Sequence, residues 1–220
     1  MMRVFKLLPM FGALLLAAGC ATPVSHYYTL LPEAATAGAL PAATRSPIYA
    51  ISVEPVTVPE QVDRPQIVIG TPGSVALTPL NNSLWVAPLA SEVRHALAYD
   101  LTQRLGVLDI PAGATPKTLP LWKIGFTIQR FDSIYQQGVV IDASWRLTPV
   151  NQPQQTVLIC QAEVRRPAGK DIASLVQSHQ MALHELAAVI ASQLSNQPIS
   201  PTSAVHLKGC TRAPSILNKG

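Results

Sequence analysis

The spacing of apolar residues along the chain predicts two amphipathic helices. Between 89 and 105, apolar residues recur every three or four positions, as on one face of an α-helix, and Gly106 ends the pattern. A second stripe of this kind runs from about 171 to 194, and Asp171 is placed to cap its first turn. Each helix therefore has an apolar side that another element must cover.

Alternation of apolar and polar residues predicts several strands around the first helix. The three clearest strands come after the first helix and lead directly to the second helix. Four other strands precede the first helix, and an Asn81-Asn82 turn is predicted after the fourth. The predicted strands span 26–30, 48–53, 66–70, 74–78, 123–131, 139–147 and 156–165. This order predicts an α+β fold: a mostly antiparallel sheet with two amphipathic helices packed on one face.

The start of the chain has the layout of an export signal. Arg3 and Lys6 precede twelve uncharged residues, and small residues then lead to Cys20. Twelve helical residues rise only about 18 Å, which is less than the roughly 30 Å of a bilayer core. The segment is therefore interpreted as a signal peptide over 1–19 and not as a permanent membrane span.

Cys20 at the cleavage point resembles the lipobox of bacterial lipoproteins, in which the cysteine sulfur and the freed amine carry acyl chains. The alternative is an ordinary secretory signal with a chance cysteine near the cut. Tyr27 follows Cys20 by only seven residue steps, at most about 25 Å of extended chain, so the domain would sit close to the lipid. Two acyl chains already hold a protein firmly on a membrane.

The remaining chain divides into three parts. A lipidated N terminus with the first strand and a mobile loop spans 20–47, and an α+β domain spans 48–195, which the strand near 26–31 joins. A Pro- and Ser-rich tail spans 196–220 and is expected to be poorly ordered unless Cys210 fixes it. A mature chain of this length suits a single core.

Composition argues against nucleic acid as a partner and leaves open whether Cys160 and Cys210 form a disulfide. Without residues 1–19 the chain keeps 14 basic and 12 acidic residues, a formal charge of +2, and Arg165-Arg166 is its only basic doublet, so no nucleic acid is expected as a partner. With Cys20 assigned to lipid, Cys160 and Cys210 are left as a disulfide pair in an oxidising compartment or as free thiols, Cys160 being buried.

No pattern for catalysis emerges from the sequence. His184-Glu185 begins like a zinc-protease helix, but that motif needs a second histidine where this chain has Ala188. His179 belongs to the apolar stripe and His184 to the surface, and the acidic residues are scattered. We therefore predict a non-enzymatic protein with no catalytic residue, no metal site and no cofactor.

Four segments together resemble the paraquat-inducible lipoprotein family, the periplasmic auxiliary lipoproteins of ABC-type and MCE-type lipid transport systems. The resemblance extends over nearly the whole mature chain, and the run from Asp63 to Val68 is its most specific piece. The segments are Tyr27-Tyr28-Thr29-Leu30, Val58-Pro59-Glu60 with Val62-Asp63-Arg64-Pro65-Gln66-Ile67-Val68, Trp85-Val86-Ala87-Pro88-Leu89, and Phe131-Asp132 followed by the Trp145 strand.

The resemblance implies a non-catalytic lipoprotein that docks an MCE-domain protein of an inner-membrane complex at the outer membrane. Ala21 after the lipidated cysteine favours the outer membrane by the sorting rule of enteric-type lipoproteins. A ring-shaped partner would favour a matching homo-oligomer here. Two other interpretations stay open: an adaptor lipoprotein for envelope assembly or structure, and a lipid-anchored hydrolase.

The segment Asp63, Arg64, Pro65 and Gln66 is the candidate docking surface. Pro65 keeps the chain before it extended, which leaves the two charged side chains free to project. The alternative is structural, with Asp63 and Arg64 pairing locally to shape a turn. Trp85 is expected in the core or at the start of the first helix.

Overall fold

The computed structural model describes residues 24–32, 48–111, 118–197 and 204–214. The signal peptide, Cys20 and most of the predicted mobile loop lie outside these residues. The elements in chain order are β1 (His26–Tyr28), β2 (Ala50–Val53), β3 (Gln66–Gly70), β4 (Leu77–Trp85), α1 (Leu89–Leu105), β5 (Leu121–Ile134), β6 (Gly138–Val150), β7 (Val157–Pro167), α2 (Ile172–Leu194) and β8 (Val205–Ala213).

Eight strands form one mixed sheet in the order β1-β4-β3-β5-β6-β7-β8, and β2 pairs with the beginning of β5. Four neighbouring pairs are antiparallel: β3/β4, β5/β6, β6/β7 and β7/β8. The pairs β1/β4, β2/β5 and β3/β5 are parallel. The sheet is thus mostly antiparallel, as the sequence predicts, but the early strands make it mixed because β2 and β3 lie one after the other along the same side of β5.

The helices pack against each other, and α2 also contacts β6 and β7. The alternating apolar residues of β5, β6 and β7 share one core with the apolar sides of both helices. The bulkiest of the fully buried side chains include Trp145, Phe126, Ile124, Ile141 and Leu147. This burial supplies the cover that the apolar helix stripes require.

Both helices occur where the sequence predicts them. α1 ends at Leu105 because Gly106 adopts a left-handed conformation (φ 65°), and its N–H donates to the Thr102 carbonyl at 2.9 Å. The predicted capping of α2 is confirmed, since the Asp171 carboxylate accepts a hydrogen bond from the Ser174 N–H at 2.7 Å.

The Asn81-Asn82 turn predicted from the sequence is wrong. Residues 77–85 form one continuous strand, β4, and both asparagines are exposed within it. The chain reverses earlier, where the Ser74 N–H donates to the Thr71 carbonyl at 3.0 Å and Gly73 has a φ of 75°. Consecutive asparagines favour turns, but here they lie in a bulge of β4, because the β3/β4 register shifts between Gln66, opposite Leu84, and Val68, opposite Pro79.

The C-terminal segment is ordered around Cys210, which is the exception that the sequence analysis allowed for the tail. Residues 205–213 form β8, an edge strand paired with β7 in which Cys210 lies directly opposite Cys160. Its side chains are mostly exposed, so hydrophobic periodicity gives little signal for this strand. Residues 198–203 and 215–220 lie outside the described part of the chain.

Candidate anchoring and docking sites

Two helices hold the segment that follows β1. Oε2 of Glu92, in the first turn of α1, accepts hydrogen bonds from the Thr29 hydroxyl at 2.7 Å and the Leu30 N–H at 2.8 Å. The side-chain amide of Gln180 in α2 donates to the carbonyls of Thr29 and Leu31, both at 3.0 Å. Leu30 is fully buried between these contacts. We call Thr29–Leu31 with Glu92 and Gln180 the N-terminal clamp.

The sequence pattern does not reveal this clamp. Glu92 and Asp100 belong to the polar positions of α1 by periodicity, yet both are buried, with 3% and 6% of their surfaces exposed. The available signal is an acidic residue in the first helical turn, where unpaired backbone N–H groups and the helix dipole favour negative charge. Periodicity gives no indication that the partner would be Thr29, 63 residues earlier.

The structure places the proposed docking residues on a turn whose side chains face solvent. Backbone hydrogen bonds to the Pro59 carbonyl form the turn, from Val62 at 3.0 Å and from Asp63 at 3.2 Å. Val62 is buried, while Asp63, Arg64 and Pro65 are exposed and Gln66 is half-buried at the start of β3. No ion pair joins Asp63 to Arg64 within the described ranges. The backbone and Val62 therefore shape this turn, and the two charged side chains are available to a partner.

Trp85 anchors the same region from inside. Only 5% of its surface is exposed, and its ring contacts Phe131 edge-on with centroids 6.3 Å apart. Its backbone N–H donates to the Pro65 carbonyl at 2.8 Å. This hydrogen bond fixes the end of the turn of residues 59–66, called the docking turn below, against β4. The expectation of a core position for Trp85 is confirmed.

Cys160 and Cys210 lie within bonding distance. Their Sγ atoms are 2.01 Å apart, their Cα atoms are 4.1 Å apart, and they occupy facing positions of β7 and β8. The Gln193 amide of α2 lies 3.2 Å from the Cys160 sulfur, and its oxygen accepts from the Trp145 indole at 2.8 Å. The pair thus joins the edge strand to the core beneath α2.

The buried histidine is committed to packing. His179 is 1% exposed and stacks on Phe131 with centroids 3.9 Å apart, and its Nε2 lies 2.8 Å from the Ser133 hydroxyl. Burial lowers the pKa of His179 to about 3, so the ring is neutral at ordinary pH. His184 lies at the surface beside Asp100 at 3.0 Å. No group of three metal-ligating side chains occurs in the described residues.

A half-buried ion pair also ties α1 to β2. Arg94 pairs with Asp109 at 2.5 Å, and Asp109 also accepts the Val53 N–H at 2.9 Å. An open groove of about 490 Å³ lies beside this pair, with Val53, Pro55 and His95 among its lining residues.

The family model for ABC-type transport auxiliary lipoprotein components matches residues 28–191, and the chain belongs to this family. Among curated proteins it is similar to the intermembrane transport lipoprotein PqiC of Escherichia coli K12, with 30% identity over 103 residues that cover 46% of this chain and 52% of PqiC. PqiC of Shigella flexneri matches to the same extent. The matched region thus spans about half the length of these relatives.

Two solved structures share the fold. A crystal structure of an uncharacterized protein superimposes with a TM-score of 0.59 at 22% identity, covering 78% of this chain and 99% of that one. A crystal structure of a Xanthomonas campestris protein gives a TM-score of 0.52 at 16% identity over 68% and 89% of the two chains. Among the described residues, no helix is long and apolar enough to cross a membrane.

Proposed function

We propose that this chain is a non-catalytic lipoprotein, acylated at Cys20, that docks an MCE-domain protein of an inner-membrane lipid transport complex at the periplasmic face of the outer membrane. Membership of the auxiliary lipoprotein family supports the general class. Similarity to an intermembrane transport lipoprotein supports the transport setting. The docking partner and the membrane are the parts that this proposal adds.

The N-terminal clamp is the observation that carries the proposal. A flexible tether transmits position poorly, whereas hydrogen bonds from two helices fix the chain at Thr29–Leu31, nine to eleven residues after Cys20. Six residue steps lead from Cys20 to the start of β1, so a domain fixed in this way stays within about 21 Å of the lipid. Such a short link would keep a bound partner close to the membrane surface.

The docking turn supplies the contact surface in this proposal. Asp63 and Arg64 are exposed, they make no ion pair with each other, and Val62 and the Trp85–Pro65 hydrogen bond hold the turn in place. Charged groups on a rigid turn provide specificity at the rim of an interface without the cost of ordering a loop. A disulfide between Cys160 and Cys210 is part of the proposal, since export to an oxidising compartment allows it.

Charge reversal of Arg64 tests the docking surface. The measurement is co-purification of the MCE-domain protein with the intact, acylated chain carrying Arg64→Glu, together with the melting temperature of each protein. Arg146→Glu is the matched control because Arg146 is exposed on another strand, β6. We expect Arg64→Glu to weaken binding about tenfold or more, with an unchanged melting temperature, and Arg146→Glu to have no effect.

Equal recovery of the partner with Arg64→Glu and with the parent would contradict the docking turn. Recovery of an envelope assembly factor in place of any MCE-domain protein would contradict the transport assignment and favour the adaptor interpretation.

A further inference from the structure

The hairpin between β3 and β4 has an uncharged apolar tip. No charged residue occurs between Arg64 and Glu92, a stretch that contains the whole hairpin. At the tip, the Val75 side chain is fully exposed and Leu77 is 54% exposed. Single exposed apolar residues are common in soluble proteins, so the exposure alone does not define a surface.

The tip is held in shape by its own hydrogen bonds. The Ser74 N–H donates to the Thr71 carbonyl at 3.0 Å, and the Ser74 hydroxyl accepts the Ala76 N–H at 3.0 Å. Gly73 takes the positive φ of 75° that the turn requires. Val75 is thus projected outward by a formed turn, and little ordering would be needed for it to enter an apolar medium.

The direction of β1 leads the chain back toward Cys20 at the same end of the sheet as the hairpin tip. β1 runs parallel to β4 with His26 beside Ser83, so the chain before His26 leaves toward the end where β4 begins. Because β4 bulges, the rise from Leu84 back to Leu77 matches only the four residue steps of β3 from Gln66 to Gly70, about 13 Å. From His26 back to Cys20 is six residues, with a reach of at most about 21 Å. The lipidated residue can therefore lie level with the hairpin tip.

We propose that the hairpin tip, Thr71–Leu77, inserts Val75 and Leu77 into the lipid leaflet that holds the acyl chains of Cys20. This inference rests on the proposed acylation. The anchor and the tip then form two contacts with one membrane, and two contacts fix the tilt of the domain where a single tether would leave it free. A lipid surface fits the uncharged tip better than a charged protein surface does.

The charged groups nearest to the tip are compatible with the insertion of Val75 and Leu77 into the leaflet. A cavity of about 250 Å³ lies between the hairpin and β5, and the two charged residues lining it, Arg130 and Asp132, pair with each other at 2.5 Å. They lie at the base of the hairpin, at the level where lipid head groups would be. The docking turn lies at the other end of the five-residue strand β3, and its residues Gln61 and Val62 line the far side of the same cavity.

A fluorescent probe at the tip tests the inference. The intact acylated chain carrying Val75→Cys is labelled with an environment-sensitive nitrobenzoxadiazole probe and reconstituted into phosphatidylethanolamine–phosphatidylglycerol vesicles. Leu108→Cys is the matched control, because Leu108 is 73% exposed and lies beside the first residues of β5, about 43 Å along that strand from the tip. The unsubstituted protein, labelled in parallel, gives the background.

We expect the probe at position 75 to shift its emission to shorter wavelength on vesicles and to be quenched several-fold more by spin-labelled lipid than the probe at 108. Equal behaviour of the two probes on vesicles that carry the protein would overturn the inference while leaving the anchor intact. Failure of the parent protein to float with vesicles would overturn the anchor and the inference together. Shielding of position 75 only after a protein partner is added would assign the tip to a protein contact and overturn membrane insertion.

Discussion

Glu92 is the residue on which the position of the N-terminal strand most depends. It is 3% exposed, and a single carboxylate oxygen accepts two hydrogen bonds from residues just after β1. Hydrogen bonds to a charged group are stronger than those between neutral groups, and a buried donor left unpaired carries its full desolvation penalty. The clamp therefore links a side chain of α1 to the segment that leads to the membrane.

Glu92→Ala is expected to lower the free energy of unfolding by about 2–3 kcal/mol, because the buried Leu30 N–H loses its acceptor. It should also make the chain before Thr29 more sensitive to limited proteolysis. Glu60→Ala is the control, since Glu60 is exposed on the docking turn. Denaturant unfolding and the rate of cleavage are the measurements, and equal values for both variants would contradict the clamp.

His179 makes stability depend on pH. Its pKa is about 3 in the folded protein because of burial, against 6.5 for an exposed histidine. Below pH 6.5 His179 binds a proton in the unfolded chain but not in the folded chain. The free energy of unfolding that is present at neutral pH therefore decreases as the pH falls. We expect this residue alone to reduce the free energy of unfolding by about 2 kcal/mol between pH 7 and pH 5.

The measurement is urea unfolding at the two pH values for the parent and for His179→Gln. The variant should be less stable at pH 7 because it loses the stacking on Phe131, but it should lose most of the pH dependence. The same pH dependence in both proteins would show that other groups cause it.

Among the elements, β8 shows what a covalent link can add to a weakly apolar strand. β8 is an edge strand with mostly exposed side chains, so packing alone holds it poorly. Its Cys210 faces Cys160 across the β7/β8 pair at a sequence separation of 50. A bridge of this separation stabilises by roughly 4 kcal/mol in the chain-entropy model.

We predict no titratable thiol in the unreduced, denatured mature protein and two after reduction, because Cys20 is acylated. Cys210→Ala should lower the free energy of unfolding by up to roughly 4 kcal/mol and expose the C-terminal segment to proteases. Thr211→Ala, which alters the neighbouring exposed position of the same strand, should behave like the parent. Two free thiols before reduction would contradict the bridge.

The elements also show which parts of the fold a sequence can predict. α1, α2 and the three long strands carry strong periodicity, and their positions are predicted to within a few residues. β4 and β8 are missed because their side chains are mostly exposed and their extended shape comes from pairing with neighbours. The sequence indicates that Asp63 and Arg64 project, because the effect of Pro65 is local. It does not reveal the role of Glu92, because the partners of Glu92 come from a distant part of the chain.

At the scale of the whole molecule, the sheet separates two surfaces. The chain before β1 and the β3–β4 hairpin tip lie toward one end, and the docking turn lies at the other end of β3, beside the middle of β5. The N-terminal clamp connects the segment after β1 to both helices. In the proposed setting the hairpin tip faces lipid and the docking turn faces the transport complex, so a single domain joins the membrane to its partner.

Acylation of Cys20 is the claim on which this arrangement depends, and mass spectrometry of the mature amino-terminal peptide from separated outer membranes tests it most directly. The account predicts a peptide that begins at Cys20, with a diacylglyceryl group on the sulfur and a third acyl chain on the amine. An unmodified amino terminus, or a protein recovered from the soluble periplasmic fraction, would contradict it.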